Sequence, residues 1–213
     1  MNTGLKTYIF IGRSGCGKGT QVEKLAEYLT ANGIINTDHP WLRIETGARF
    51  RQIVETGGYT AKMLKAGMEK GERLPDNFAI WTWTGFLFDQ FTGIEHIFCD
   101  GCPRSLVEAK ALDLLFKFYQ REKPIVIYID VSREETKTRL LKRGRADDQS
   151  DDIDRRLDWF DRDVLPAVEY YEQNPDYEFH RINGEQSVEA VHQELLASLK
   201  IWLPSRRPKI LPP

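Results

Sequence analysis

A glycine-rich stretch near the start of the chain is the first candidate site for chemistry. Residues 12–18, GRSGCGK, fit the pattern G-x-x-x-x-G-K, in which glycines let backbone N–H groups curl around an anion and the lysine adds a positive charge. Gly19 stands where a serine or threonine usually follows, with Thr20 one place later. An apolar run at 8–11 predicts a strand before the loop, and a helical pattern follows it. The stretch therefore predicts a phosphate-binding loop, with a plain glycine turn between strand and helix as the alternative.

Strands that alternate with helices would position this loop. Apolar runs predict further strands at 43–44, 95–100, 124–130 and 179–182. Helical periodicity predicts helices at 20–29, at 48–71 with glycine interruptions, and at 77–91, 106–118, 134–143, 153–171 and 188–203. This alternation predicts an α/β fold with a parallel sheet covered by helices on both faces.

The composition indicates one globular domain. The 213 residues include 30 basic and 32 acidic side chains, and 41% are hydrophobic, enough for a core without disulfides. The nearly balanced charge argues against nucleic acid as a partner. The longest uncharged run, 77–88, is too short to cross a bilayer, which takes ~20 apolar residues. With three cysteines and no signal-peptide pattern, we expect a cytoplasmic monomer without a membrane partner.

Four stretches occur in the order found in one known family. GCGKGTQ at 15–21 resembles the phosphate loop of the adenylate kinases, in which Gly-Thr-Gln usually follows the lysine. TGARFR at 46–51 resembles the family's T-G-x-x-x-R element, and DGCPR at 100–104 resembles D-G-[FY]-P-R. RLLKRGRADD at 139–148, followed by Arg156, resembles the family's lid. The resemblance extends over 8–199 and is closest to adenylate kinases with a short lid, close also to the pyrimidine (UMP/CMP) branch of the nucleoside monophosphate kinases.

The resemblance implies a fold, a reaction and a set of boundaries. The implied fold is that of the P-loop NTPases, with a five-stranded parallel sheet, a small helical acceptor-binding insertion and a short lid. The implied reaction moves the γ-phosphoryl group of Mg-ATP to a nucleoside monophosphate, AMP first, with Mg²⁺ as cofactor and two ADP as products. The implied boundaries are one domain over 1–203 (core 1–44, 75–141 and 149–203, insertion 45–74, lid 142–148) and a tail over 204–213.

The resemblance also implies roles for individual residues. Phosphoryl transfer brings two polyanions together, and the planar fork of arginine suits their oxygens. The implied catalytic residues are Lys18, Arg104, Arg143, Arg145 and Arg156. The implied ATP-binding residues are Gly15, Cys16, Gly17, Lys18, Gly19, Thr20, Arg139, Arg143 and Gln186. The implied residues for the nucleoside monophosphate are Thr46, Arg51, Glu72, Arg73, Leu74, Gly101, Cys102, Pro103, Arg104, Glu108, Arg145 and Arg156. Asp100 would orient Mg²⁺ through water, and Asp147 and Asp148 would orient the lid arginines.

Two acidic positions leave alternatives open. Asp100 could instead cap a helix or a turn. Glu108 stands where adenylate kinases carry a glutamine that reads the acceptor adenine. A carboxylate only accepts hydrogen bonds, so it would favour guanine's N1–H and N2–H₂ or cytosine's N4–H₂ over adenine. We therefore hypothesise a shifted or relaxed acceptor preference, against the alternatives that Glu108 is protonated, swung away or simply solvated.

Two other functions fit the same motifs. One is a UMP/CMP-type or broad-specificity nucleotide kinase, which Glu108 leaves open. The other is a catalytically inactive nucleotide-binding sensor built on the same fold. A sensor need not keep the groups that act on the transferring phosphoryl group, so the presence of Lys18 and all the phosphate-facing arginines favours an enzyme.

Overall fold

Five parallel strands form the centre of the structure. The computed structural model describes residues 4–144 and 150–201. Within them the strands are β1 (Thr7–Ile11), β2 (Trp41–Glu45), β3 (His96–Asp100), β4 (Ile125–Asp130) and β5 (Glu178–Asn183). They form one sheet in the order β2-β3-β1-β4-β5, and every pairing is parallel. β1 and β3 are buried along their whole length, and apolar residues fill their centres, as is typical of central parallel strands.

Helices follow each strand and cover both faces of the sheet. They are α1 (Lys18–Ala31), α2 (Thr46–Glu55), α3 (Tyr59–Glu69), α4 (Asp76–Gln90), α5 (Leu106–Phe118), α6 (Arg133–Arg143), α7 (Ser150–Trp159), α8 (Leu165–Gln173) and α9 (Val188–Ser198). On one face, α1 and α9 bury Leu25 and Leu195 against the sheet. On the other, α4, α5 and α8 bury Leu87, Leu112 and Val168. The α/β class predicted from the alternating pattern is confirmed.

The segment after β2 forms a small helical unit with a core of its own. The pattern at 48–71 predicts helix with glycine interruptions, and the structure has two helices, α2 and α3, separated at Gly57 and Gly58. Phe50 and Leu64 from these helices pack with Ala79 of α4. The unit lies beside the carboxyl end of β2, where it forms one wall of the cleft described below.

Two predicted helices differ from the observed ones, each for a local reason. The helix predicted at 153–171 contains a π-helical segment, Phe160–Val164, in which Leu165 N–H donates to Phe160 O. Pro166 has no N–H for the carbonyl four residues earlier, so regular hydrogen bonding cannot continue there. The helix predicted to reach residue 203 ends at Ser198, and Lys200 has a φ of +54°, a left-handed conformation that stops a helix.

Crossing a membrane takes a helix that is both long and apolar, and no helix among the described residues meets that requirement.

Candidate active site

A cleft of about 640 Å³ opens at the carboxyl end of the sheet. Its walls come from the loop after β1, the start of α2, the segment before α4, the loop after β3, and helices α6 and α7. Ligands of open α/β sheets bind at this edge. The residues of the sequence-derived set that line the cleft are Gly15, Gly17, Lys18, Gly19, Thr20, Thr46, Arg51, Glu72, Arg73, Leu74, Asp100, Gly101, Arg104, Glu108, Arg143 and Arg156.

Some residues of that set lie elsewhere. Cys16 and Cys102 are buried in the core, and Pro103 follows a cis peptide bond behind the cleft. Arg139 is paired with Glu135 on its own helix at 2.7 Å, outside the lining of the cleft. The Gln186 side chain donates to Asn183 O and to Glu194, likewise away from it. Arg145, Asp147 and Asp148 lie outside the described residues.

The glycine-rich loop has the backbone that an anion site requires. Gly17 caps the N-terminus of α1 with a φ of +96°, and Gly15 has a φ of +82°, conformations that side chains other than glycine adopt at a cost. A Cβ on Gly15 would also lie 2.9 Å from Leu140 Cδ2. The Lys18 ammonium donates to Gly12 O at 2.6 Å and Arg13 O at 2.8 Å. The loop thus places a helix N-terminus and a lysine on the floor of the cleft.

Two arginines enter the cleft from α6 and α7. Arg143 ends α6, and Arg156 lies on the facing helix with its Nε donating to Asp152 O. The two helices are held together by a small apolar cluster of Leu140, Ile153 and Leu157. This packing places both arginines at the lining of the cleft.

Two further arginines converge on the opposite wall. A Cβ on Gly47 would lie 3.5 Å from one nitrogen of Arg51 and 3.6 Å from one of Arg104, so both guanidinium groups reach the same point at the start of α2. Arg51 pairs with Glu45 at 3.1 Å, and Arg104 Nε donates to Gly101 O at 2.8 Å. Paired guanidinium groups at one point suit a phosphate group.

An apolar patch lies beside these arginines. Phe50, Met68, Ala79 and Trp159 line the same cleft, and they were not in the sequence-derived set. Trp159 Nε1 donates to Gly71 O at 3.1 Å, joining α7 to the segment after α3. Planar apolar walls with a few polar groups are typical of a base-binding pocket. Only Phe50, within the TGARFR motif, had a sequence signal.

Glu108 is a buried acid in the lining of this cleft. The side chain lies on the first turn of α5 and is 1% exposed, so it is not a solvated helix residue. Its backbone N–H donates to the Oγ atom of Ser105, the N-cap residue of α5. Burial raises the pKa of Glu108 to about 7, against the opposing effect of Arg104. Among the described residues, its Oε2 atom is buried without a hydrogen-bond partner.

Asp100 is held by an arginine that the sequence analysis did not single out. Arg43 of β2 donates to Asp100 Oδ2 at 2.6 Å and to Glu23 at 3.0 Å, and Glu45 is 3.6 Å away. Asp100 does not cap a helix, because the cap of α5 is Ser105. A Cβ on Gly19 would lie 3.7 Å from Asp100 Oδ2, so this carboxylate lies against the glycine-rich loop.

Comparison with known proteins agrees with this arrangement. A family model described as adenylate kinase matches residues 10–176. An adenylate kinase of Bacteroides fragilis is 30% identical over 191 residues, covering 88% of this chain and 94% of that protein. Adenylate kinases of two Synechococcus strains are 31% and 33% identical, each over 90% of this chain and over 97% and 95% of their own lengths. The chain therefore belongs to the adenylate kinase family of phosphotransferases.

Proposed function

We propose that this protein transfers the γ-phosphoryl group of ATP reversibly to AMP, giving two molecules of ADP. The observation that carries the proposal is the convergence of cations from both walls of one cleft. Lys18 comes from the phosphate loop, Arg143 and Arg156 from α6 and α7, and Arg51 and Arg104 from the wall at the start of α2. The three relatives described above are named adenylate kinases, which supports the same reaction.

The chemistry needs fixed charge more than it needs a protein base. In phosphoryl transfer the negative charge spreads over the oxygens of the moving group, and catalysis rests on alignment and electrostatic stabilisation. Arg51 and Arg104 hold the acceptor phosphate, whose oxygen is already anionic and can attack directly. Lys18 and Arg143 hold the donor phosphates, and Arg156 contacts the transferring group and the nucleoside monophosphate. Arg145 has the same role as Arg156 in our proposal, from outside the described residues.

Asp100 fits a role toward Mg²⁺. Mg²⁺ in nucleotide sites keeps several waters and uses one or two carboxylates together with the phosphates, and Asp100 offers one carboxylate beside the phosphate loop. Its Oδ2 is engaged by Arg43, which leaves Oδ1 for a water. Bound Mg²⁺ would supply charge neutralisation at the donor phosphates.

The direct test is ADP formation from Mg-ATP with a panel of acceptors, AMP, GMP, CMP, UMP and dTMP. We expect AMP to be turned over at physiological pH. Folded protein that binds ATP but forms no ADP with any acceptor would favour the nucleotide-sensor alternative.

A second candidate, a kinase with altered acceptor choice, is favoured by one specific observation. Glu108, a carboxyl group and not an amide, is a buried polar side chain of the cleft beside the acceptor arginines. A carboxylate there complements the adjacent N–H donors of guanine or the amino group of cytosine. A GMP- or CMP-preferring enzyme in the same assay would establish this candidate.

The remaining sequence-derived expectations are also proposals. In the division into core, acceptor-binding insertion at 45–74 and lid at 142–148, the insertion is supported by the separate small core around Phe50 and Leu64. A cytoplasmic location is supported by three free, buried cysteines, which suit a reducing compartment. We propose a monomer, which light scattering would test.

A further inference from the structure

The buried carboxyl group of Glu108 can be neutral or ionised, and the two forms offer different hydrogen bonds to a ligand in the cleft. Its Oε2 atom is without a partner among the described residues, although an unpartnered polar atom in a protein interior is costly. Glu108 lines the cleft beside the acceptor arginines. A ligand that forms a hydrogen bond with this carboxyl group would remove that cost. The Glu108 carboxyl group can therefore discriminate between ligands by the hydrogen bonds that they offer.

The two forms complement different bases. A neutral carboxyl carries one donor and one acceptor, as an amide does, and so complements the N1 acceptor and the N6–H₂ donor of adenine. An ionised carboxylate carries two acceptors and complements the adjacent N1–H and N2–H₂ donors of guanine. Each form leaves a mismatched pair with the other base.

Charges of both signs surround Glu108, and they come from several elements. Asp76 at the start of α4 opposes ionisation, whereas Arg104 of the loop after β3 and Arg73 of the segment before α4 favour it. Arg73 is itself bonded to Asp76 and to Asp163 of the π-helical segment. Among the described residues, other titratable groups of the surrounding elements include Glu45, Arg51, Glu72, Asp100, Cys99, Cys102, Arg156 and Tyr171. Burial outweighs these charges and raises the pKa of the Glu108 carboxyl to about 7.

We propose that Glu108 reads the acceptor base and that its protonation state decides which base is accepted: the neutral carboxyl accepts AMP, and the carboxylate accepts GMP. This inference rests on the proposed function, because the acceptor is taken to be a nucleoside monophosphate bound in this cleft. It goes further by naming the group and the chemical state that select the base.

The test is the ratio of kcat/KM for AMP to kcat/KM for GMP, measured at pH 6.0 and pH 8.0. Both acceptors carry the same phosphate, so its titration cancels in the ratio. The value of kcat/KM reports the ionisation of the free enzyme. The proportion of neutral to ionised Glu108 falls tenfold per pH unit, so the AMP-to-GMP ratio of kcat/KM should fall by about 100-fold between pH 6.0 and pH 8.0.

Two variants make the test specific. In Glu108→Gln the amide does not titrate, so the ratio should favour AMP at both pH values and change by less than about twofold. Glu122→Gln removes the same charge from an exposed residue outside the cleft, and it should follow the wild type. A ratio in the wild type that does not change with pH, or an equal change in Glu108→Gln, would overturn the proposal.

Equilibrium binding separates this inference from the proposed function. If the wild type forms no ADP with either acceptor, the proposed function has failed. The ratio of the Kd values for GMP and AMP, measured by calorimetry on the wild type at the two pH values, then tests the reading of the base by itself. We expect the same fall of about 100-fold, and a constant ratio would contradict the inference without any variant protein.

Discussion

The guanidinium of Arg43 lies 2.6 Å from Asp100 Oδ2 and joins two neighbouring strands at the floor of the cleft. Arg43 is level with Phe98 in the register, so it meets Asp100 as a diagonal neighbour on the same face of the sheet. Glu23 and Glu45 lie within 3.0 Å and 3.6 Å of the same guanidinium. The three carboxylates neutralise the charge of Arg43 and fix its guanidinium group. Arg43 in turn holds the Asp100 carboxylate in place beside the phosphate loop.

Replacing Arg43 should therefore reduce turnover more than nucleotide binding. Arg43→Gln frees Asp100 to move, and supporting residues of this kind typically contribute about 10- to 100-fold. We expect kcat to fall at least about tenfold, with a change in KM for ATP below about threefold. Steady-state kinetics at saturating acceptor measures both values.

Arg49→Gln is the matched control for this variant. Arg49 is exposed on α2 and lies outside the cleft, and in the described part of the chain its guanidinium donates to Gln52. The kcat and the KM for ATP of Arg49→Gln should therefore be unchanged. A rise in KM for ATP without a fall in kcat would show that Arg43 binds phosphate directly, contrary to this account.

Gly71 fixes the distance between the acceptor wall and α7. Its φ is +65°, and a Cβ there would lie 2.6 Å from Asp152 O. Gly71→Ala should push the two segments apart and break the contact of Trp159 with Gly71 O. We expect a rise in KM for AMP and a loss of about 1–3 kcal/mol in the free energy of unfolding, measured by urea titration.

Gly57→Ala separates this clash from backbone strain. Gly57 has a similar φ of +75°, but a Cβ would meet nothing within 4 Å. The free energy of unfolding of this variant should fall by only about 1 kcal/mol, the cost of a left-handed backbone at alanine. Its KM for AMP should be unchanged. Equal effects of the two alanines on KM would refute the steric argument.

The raised pKa of Glu108 predicts how stability depends on pH. The folded protein keeps this proton up to about pH 7, whereas the unfolded chain loses it near 4.5. The folded state thus binds more protons between these values, and stability falls as pH rises from about 4.5 to about 7. Glu108→Gln removes this loss and should be more stable than the wild type at pH 8, by about 3 kcal/mol at most.

Urea titration at pH 5 and pH 8 checks that prediction. The advantage of Glu108→Gln over the wild type should be larger at pH 8 than at pH 5, while Glu122→Gln, an exposed neutralisation, should show no such difference. An equal advantage at both pH values would mean that Glu108 is not neutral in the folded protein.

The strands and most helices were predictable because their signals are local. Central strands such as β1 and β4 are nearly continuous apolar runs, and the helical periodicity at 106–118 predicted α5 with its observed bounds. The π-helical segment before Pro166 was not predicted, since periodicity does not show where a hydrogen-bond ladder shifts by one residue.

The site was predictable where motif residues form it and not where packing does. The phosphate loop and four arginines of the ordered motifs, Arg51, Arg104, Arg143 and Arg156, line the cleft. Arg43 was missed because its partner Asp100 is set by the pairing register of β2 and β3, which one sequence does not contain. Trp159 was missed because its bond to Gly71 O joins segments far apart in the chain.

The most direct measurement is the formation of ADP from Mg-ATP and AMP by the purified protein and by Lys18→Ala. We predict two ADP for each ATP consumed, strict dependence on AMP, and a loss of at least about 100-fold in Lys18→Ala. Lys24→Ala, which removes a lysine on α1 paired with Glu189, should match the wild type. Wild-type protein that is folded and binds ATP but forms no ADP from AMP, or an equally active Lys18→Ala, would contradict the account.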